Sequence, residues 1–168
     1  THAMWHRVAP ALMKDFTCVM PDLRGYGQSS CPPNDAENFA YSKRAMARDM
    51  IALMDSLGFK RFAVVGHDRG GRVAYRMALD FSEAVSSLTV LDIVPTYAMW
   101  HNFPVNLAMK TYHWLFLAQP FPLPEMLIGK VPVEFLDYKM ASWTKKKTLE
   151  DFDAAALVEY RAAYARAD

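Results

Sequence analysis

The residue types most able to do chemistry gather in Val64-Val-Gly-His-Asp-Arg-Gly-Gly71, where Asp68 stands between Gly66 and Gly70. A β-branched run leads into Asp68 and a helical pattern leads away, so the aspartate falls on a strand-to-helix turn, the arrangement of a nucleophile elbow. Such a turn pushes its central side chain outward and brings backbones close, which asks for small flanking residues. A carboxylate nucleophile suits attack on a saturated carbon that carries a leaving group, giving an alkyl ester that water then hydrolyses at the carboxyl carbon. The helix N-terminus, with the backbone N–H of Arg69, would favour the anion and could stabilise an oxyanion on the ester. Halides and epoxides are such substrates; amides are not. A plainer job for Asp68 is to cap a helix beginning near Gly70, worth about 1 kcal/mol, although capping does not require glycines on both sides.

Other candidates surround this motif in the sequence. Arg69 and Arg72 lie three apart at the helix start and can project on one side; a guanidinium fork grips a carboxylate through paired charge-assisted bonds. Either could equally be a solvated surface arginine. Asp92 closes the next apolar run, where a right-handed crossover would bring it to the same sheet edge as Asp68; it could also simply start the turn before Pro95. His113 and Trp114, in Thr111-Tyr-His-Trp-Leu-Phe116, place an imidazole N–H beside an indole N–H, two donors that could receive a departing halide. As a bare aromatic stripe they would more often be core.

These residues need elements to hold them. Phe16-Thr-Cys-Val-Met20 predicts a buried strand feeding the glycine-rich loop Asp22-Leu-Arg-Gly-Tyr-Gly27. From Tyr41 to Leu57 the apolar positions Met46, Met50, Leu53, Met54 and Leu57 recur at three and four, with Gly58 at the helix end. Arg61 to Gly66 predicts a strand, Val73, Ala74, Met77, Ala78 and Phe81 share a helical face, and Ser87 to Ile93 predicts another strand. Strand alternating with helix is the pattern of a mostly parallel sheet with crossover helices, an α/β fold. After Pro95 the character changes: Pro104, Pro120, Pro122, Pro124 and Pro132 punctuate short aromatic-rich helical patterns. The expected organisation is a partial α/β core over 1–95 and an incomplete helical cap over 96–168.

Composition narrows the partners. Nineteen basic against 18 acidic residues leave a net charge of +1, which offers no electrostatic footprint for nucleic acid or a membrane. Cys18 and Cys31 match neither zinc-site spacings nor a secreted disulfide framework, and no apolar stretch is long enough to span a bilayer. A soluble, cytoplasmic protein with a small-molecule ligand and no metal is expected. The chain starts at Thr1 and stops at Asp168 within a helical pattern, so a piece of a longer parent is expected too.

The motif pair Asp22-Leu-Arg-Gly-Tyr-Gly-Gln-Ser29 and VGHDRGG resembles the α/β-hydrolase fold. The fuller string GHDRGGRVAYRMALD, with LDIVPT and YHWLFLAQP downstream, looks like the fluoroacetate and haloacetate dehalogenases. That resemblance implies Asp68 as nucleophile, Asp92 as the acid that orients a histidine, Arg69 and Arg72 as binders of the substrate carboxylate, and His113 and Trp114 as halide donors. Trp143, in Ala141-Ser-Trp-Thr144, resembles a residue lining the same pocket. It also implies a small haloacid and water as reactants, no cofactor, and a possible homodimer of the parent. The five histidines all lie in the first 113 residues, whereas the base of this fold comes late, and the family's His-Gly-Phe-Pro-like oxyanion segment has no counterpart. The expectation is therefore a fragment that could be alkylated once without turning over. Two alternatives stay open: an epoxide hydrolase using phenols such as Tyr97, Tyr112 or Tyr138, and a non-catalytic module that holds a small anion.

Overall fold

In chain order the structure, a computed structural model that describes residues 1–166, runs α1 (Ala9–Leu12), α2 (Lys43–Ser56), β1 (Phe62–His67), α3 (Asp68–Asp80), β2 (Val85–Leu91), α4 (Thr96–His101), α5 (Val105–Lys110), α6 (Tyr112–Leu117), α7 (Leu123–Ile128), α8 (Pro132–Trp143) and α9 (Ala154–Tyr164). It divides into two compact units: Cys31–Phe103, and Thr1–Ser30 together with Pro104 onward.

The first of these is a βαβ unit with one extra helix. β1 and β2 pair in parallel, Gly66 opposite Val90 and His67 opposite Leu91, and α3 makes the crossover that a parallel pair requires. α3 buries Val73, Ala74 and Met77 of the face expected from its spacing, together with Gly71, while Ala78 and Phe81 of that face are only half-buried. α2 packs against α3. Its first turn is capped by Ser42, whose Oγ accepts from the Ala45 amide at 3.1 Å, and it ends at Gly58 with φ +84°. The helix arrives as predicted, but its apolar stripe is covered unevenly: Met46 is 3% exposed and Leu57 50%. Asp80, at the end of α3, accepts from Arg44 Nε of α2 at 3.0 Å and Arg76 Nε at 2.8 Å, an ionic tie between the two helices.

In the second unit α8 packs on α9, and α9 packs on the 3₁₀ turn His2–Trp5. Arg161 grips Asp137 through two bonds of 3.0 and 2.7 Å, the bidentate geometry that makes arginine the residue of choice for carboxylates. Asp153 caps α9 by accepting from Ala156 N at 3.0 Å. The strand expected over Phe16–Met20 does not form: residues 17 to 23 lie outside any helix or ladder. An apolar run becomes a strand only where another strand supplies its hydrogen bonds, and among the described residues only β1 and β2 are paired. The loop that follows is well built. Asp22 accepts from His2 N at 2.5 Å and Gln28 N at 3.3 Å, and Gly27, at φ +54°, sits where a Cβ would fall 1.8 Å from Asp22 Oδ2.

Among the described residues no helix is long and apolar enough to cross a membrane.

Candidate functional site

β1 hands the chain to α3 with no intervening loop, and the joint is Asp68. Its φ is +45°, a left-handed conformation uncommon for any residue with a Cβ. The strain is held by the way strand and helix cross. A Cβ on Gly66 would meet Gly70 O at 2.6 Å, Gly71 Cα at 2.7 Å and Ala74 Cβ at 2.8 Å, and one on Gly71 would meet Ile93 Cγ1 at 3.0 Å and Gly66 O at 3.1 Å. Gly70 is different, since a Cβ there meets nothing within 4 Å. The small pair demanded by the turn is thus Gly66 and Gly71, a correction to the symmetrical Gly66/Gly70 reading. The physical reason is helix phase: α3 begins at Asp68 itself, so the residue three further on, not two, turns back against β1.

The plainer reading of Asp68 as a helix cap does not describe this joint. His67 is the N-cap residue of α3 and no side chain makes a capping hydrogen bond; Asp68 is already in the first helical turn and is solvent-exposed. A carboxylate at that place lies in the positive field of the helix start.

Asp92 is placed in parallel fashion. It follows β2 directly, at φ +50° and exposed. Because His67 and Leu91 are register partners, the residues after them, Asp68 and Asp92, leave adjacent strands at the same carboxyl edge, where open α/β sheets build their sites. The segment after β2 is held down on α3 by the Gly71–Ile93 contact and by a 2.9 Å hydrogen bond between Tyr75 OH and Thr96 Oγ1.

Arg69 is exposed and Arg72 half-buried, with its Nη2 3.3 Å from Met99 Sδ. A third cation, which the sequence reading missed, belongs with them. Lys43, at the start of α2, has its pKa pulled below the usual lysine value, first by burial and then by the positive charges of Arg69 and Arg72, while Asp68 acts the other way. The signal available in the sequence was weak: a lysine after a capping serine reads as a solvated helix start. Only the packing of α2 on α3 brings it to Asp68.

The remaining candidates form a separate cluster in the other unit. α6 carries His113 and Trp114, both half-buried, with ring centroids 5.9 Å apart, and Trp143 at the end of α8 lies 6.1 Å from His113. Beside them sits another residue that sequence reasoning passed over, Lys139 of α8, only 5% exposed. Its ammonium lies 4.6 Å from the Tyr112 ring centre and 5.7 Å from that of Trp143. Among the described residues no three of His, Cys, Asp and Glu gather as a metal site would require.

Comparison with known proteins adds four findings. Residues 1–126 match the alpha/beta hydrolase fold family. The chain is 49% identical over 158 residues to the fluoroacetate dehalogenase of a Burkholderia species, covering 94% of this chain and 52% of that protein. It is 38% identical over 113 residues to the soluble epoxide hydrolase of Corynebacterium sp. (strain C12), covering 67% of this chain and 38% of the relative. A solved structure from Nostoc sp PCC 7120 superposes with a TM-score of 0.95 at 46% identity, covering 99% of this chain and 56% of the other. The chain therefore spans about half the length of the Burkholderia and Nostoc proteins and less of the Corynebacterium one.

Proposed function

From the premise that this chain belongs to the alpha/beta hydrolase fold family, we propose that the protein of which it is part hydrolyses the carbon–halogen bond of a small 2-haloacid such as a haloacetate. The observation that carries the reading is the joint at Asp68: an exposed carboxylate on a left-handed turn at the start of α3, with Arg69 and Arg72 on the same helix.

In this reading Arg69 and Arg72 hold the substrate carboxylate, which fixes the neighbouring carbon in front of Asp68. One Asp68 oxygen attacks that carbon as the carbon–halogen bond breaks in line; the halide leaves with the bonding pair, received by N–H donors of His113 and Trp114. The product is an alkyl ester on Asp68. Water then gives up a proton and adds to the ester's carbonyl carbon; the bond from that carbon to the alkyl oxygen breaks, the 2-hydroxy acid leaves with a former Asp68 oxygen and takes up the proton, and Asp68 is regenerated as a carboxylate holding one oxygen from water. That second step needs a general base, a histidine that Asp92 would orient, and none of the five histidines of this chain is assigned to it. Trp143 would line the halide side of the pocket. No metal or organic cofactor takes part, the reactants are the haloacid and water, and the cytoplasm is the compartment we assign. The division into core over 1–95 and cap over 96–168 belongs to the same proposal.

An epoxide hydrolase is the second reading, favoured by the Corynebacterium relative and by Tyr112. Burial, and secondarily Tyr138, raise the Tyr112 pKa, keeping a phenol protonated and able to donate to an opening epoxide oxygen. The two readings differ in what they ask of the arginines, because a neutral epoxide has no carboxylate to grip.

Intact-mass spectrometry with peptide mapping after exposure to chloroacetate, and in parallel to glycidol, separates them. A single adduct on Asp68 from chloroacetate, absent in Asp68→Asn and slowed in Arg69→Ala, is the expected result. An adduct from glycidol that is indifferent to Arg69→Ala would favour the second reading. A folded protein modified by neither reagent would remove both.

A further inference from the structure

The cavity in the helical unit has a charge composition that neither reading uses. It encloses about 460 Å³ and its charged lining groups are Lys110, Lys139 and Lys147, with no carboxylate among them. Two of its walls are the rings of Tyr112 and Trp143 that flank the Lys139 ammonium.

Lys139 is the unusual member. Lysine is almost never fully buried unless paired, yet this one is 5% exposed, and no hydrogen bond or ion pair among the described residues reaches its ammonium. The ring faces of Tyr112 and Trp143 attract the cation, but they accept no ordinary hydrogen bonds and carry no net charge. Burial lowers its pKa, the sign expected of a cation short of counter-charge. The rim is anchored. Lys147 takes φ +59°, its Nζ donates to Ser142 O at 2.6 Å, and the turn that carries it is tied by Thr144 Oγ1, which donates to Thr148 O at 3.0 Å. Three lysines around one cavity, one of them buried against two aromatic faces, make a place that lacks one negative charge.

We propose that this cavity binds a small monovalent anion, a halide or a short carboxylate, with Lys139 as its principal ligand and Lys110 and Lys147 as the rim. The site is contained in the helical unit; it shares the Trp143 wall with the pocket of the dehalogenase reading, but its ligands are lysines that this reading does not use. An ammonium flanked by rings offers its remaining N–H donors into the cavity, where one anion satisfies them and supplies the missing charge at once. The apolar surface of Met109, Tyr112 and Trp143 suits a carboxylate with a short carbon chain, and a bare halide uses the same donors.

The test follows the indole N–H resonance of Trp143, assigned by loss in Trp143→Phe, while the purified chain is titrated with sodium bromide and, separately, sodium acetate. Saturation of the Trp143 shift is expected, with binding weakened by about tenfold or more in Lys139→Met and several-fold in Lys110→Gln, whose exposed position leaves the fold intact. Lys139→Arg, which keeps the charge, should restore most of the binding. Saturation by bromide alone identifies a halide site, by acetate alone a carboxylate site, and by both a shared one. Shifts that rise linearly without saturating for both salts, or saturation that is the same in Lys110→Gln and in a folded Lys139→Met, would overturn the proposal. Asp68→Asn, which stops alkylation, should leave the titration unchanged, so the anion site and the proposed reaction can fail separately.

Discussion

The two units hold their candidate groups by different means. In the βαβ unit Asp68 and Asp92 are placed by the backbone: each is the first residue beyond a paired strand and each takes a positive φ, +45° and +50°. In the helical unit α5, α6 and α7 span six residues apiece without side-chain caps, too short to stand alone. There the rings of His113, Trp114 and Trp143 and the Lys139 ammonium are placed by leaning on one another. Backbone placement tolerates little change at a few glycines and much elsewhere. Placement by mutual packing spreads the sensitivity thinly over many side chains.

The widest break between the two comes from the proposed nucleophile. Asp68→Asn keeps the shape and removes the charge, and we expect the rate of alkylation by chloroacetate to fall by at least about a thousandfold with the melting temperature nearly unchanged. His113→Phe should slow the same reaction by only about ten- to a hundredfold, since a neighbouring donor remains; equal losses would erase the distinction.

Next in size is a pair of glycine substitutions four residues apart, one in β1 and one in α3. Gly66→Ala drives a Cβ against backbone at 2.6 Å and should cost about 3 kcal/mol or prevent folding. Gly70→Ala enters open space in a helix and should stabilise by roughly 0.5–1 kcal/mol. Denaturant titration of both reads the difference, and similar values would mean that strand and helix do not cross as described.

In the helical unit Gly27 is the backbone exception that sharpens the contrast. Gly27→Ala collides with Asp22 and should cost about 2 kcal/mol. Burial alone would raise the Asp22 carboxyl, but the His2 and Gln28 amides and the His2 ring outweigh it and hold the pKa below its ordinary 3.8. A lowered folded value means the stabilisation is complete above about pH 4 and is lost as pH falls through the folded pKa. Melts between pH 5 and pH 2 should therefore show a loss of stability that is blunted in Asp22→Asn. The smallest effect belongs to Arg44→Ala. Its ion pair with Asp80 joins α2 to α3 at 3.0 Å but is half-exposed, and about 0.5 kcal/mol is expected by thermal denaturation.

What the sequence disclosed follows the same division. The β1–α3–β2 order and the edge location of Asp68 and Asp92 were legible because strand, turn and helix are adjacent in the chain and their periodicities differ. The Gly66–Gly71 contact was not, since it depends on the residue at which the helix starts, a boundary that spacing leaves uncertain by a residue or two. Phe16–Met20 misled because an apolar run records a preference for burial and not the presence of a partner strand. Lys43 and Lys139 were passed over for a common reason: a lysine in a helical pattern reads as solvated, and only the packing of α2 on α3, or of α8 beside Tyr112, removes the water.

The matched positive φ of Asp68 and Asp92 also limits how the protein can drift. At such backbone angles a β-branched or bulky replacement is penalised before its chemistry matters, while glycine, asparagine and aspartate are tolerated. Descendants that lose the proposed reaction would therefore be expected to pass through Asn or Gly at these two positions, and a copy carrying either would keep the scaffold while lacking the carboxylate that the proposal requires.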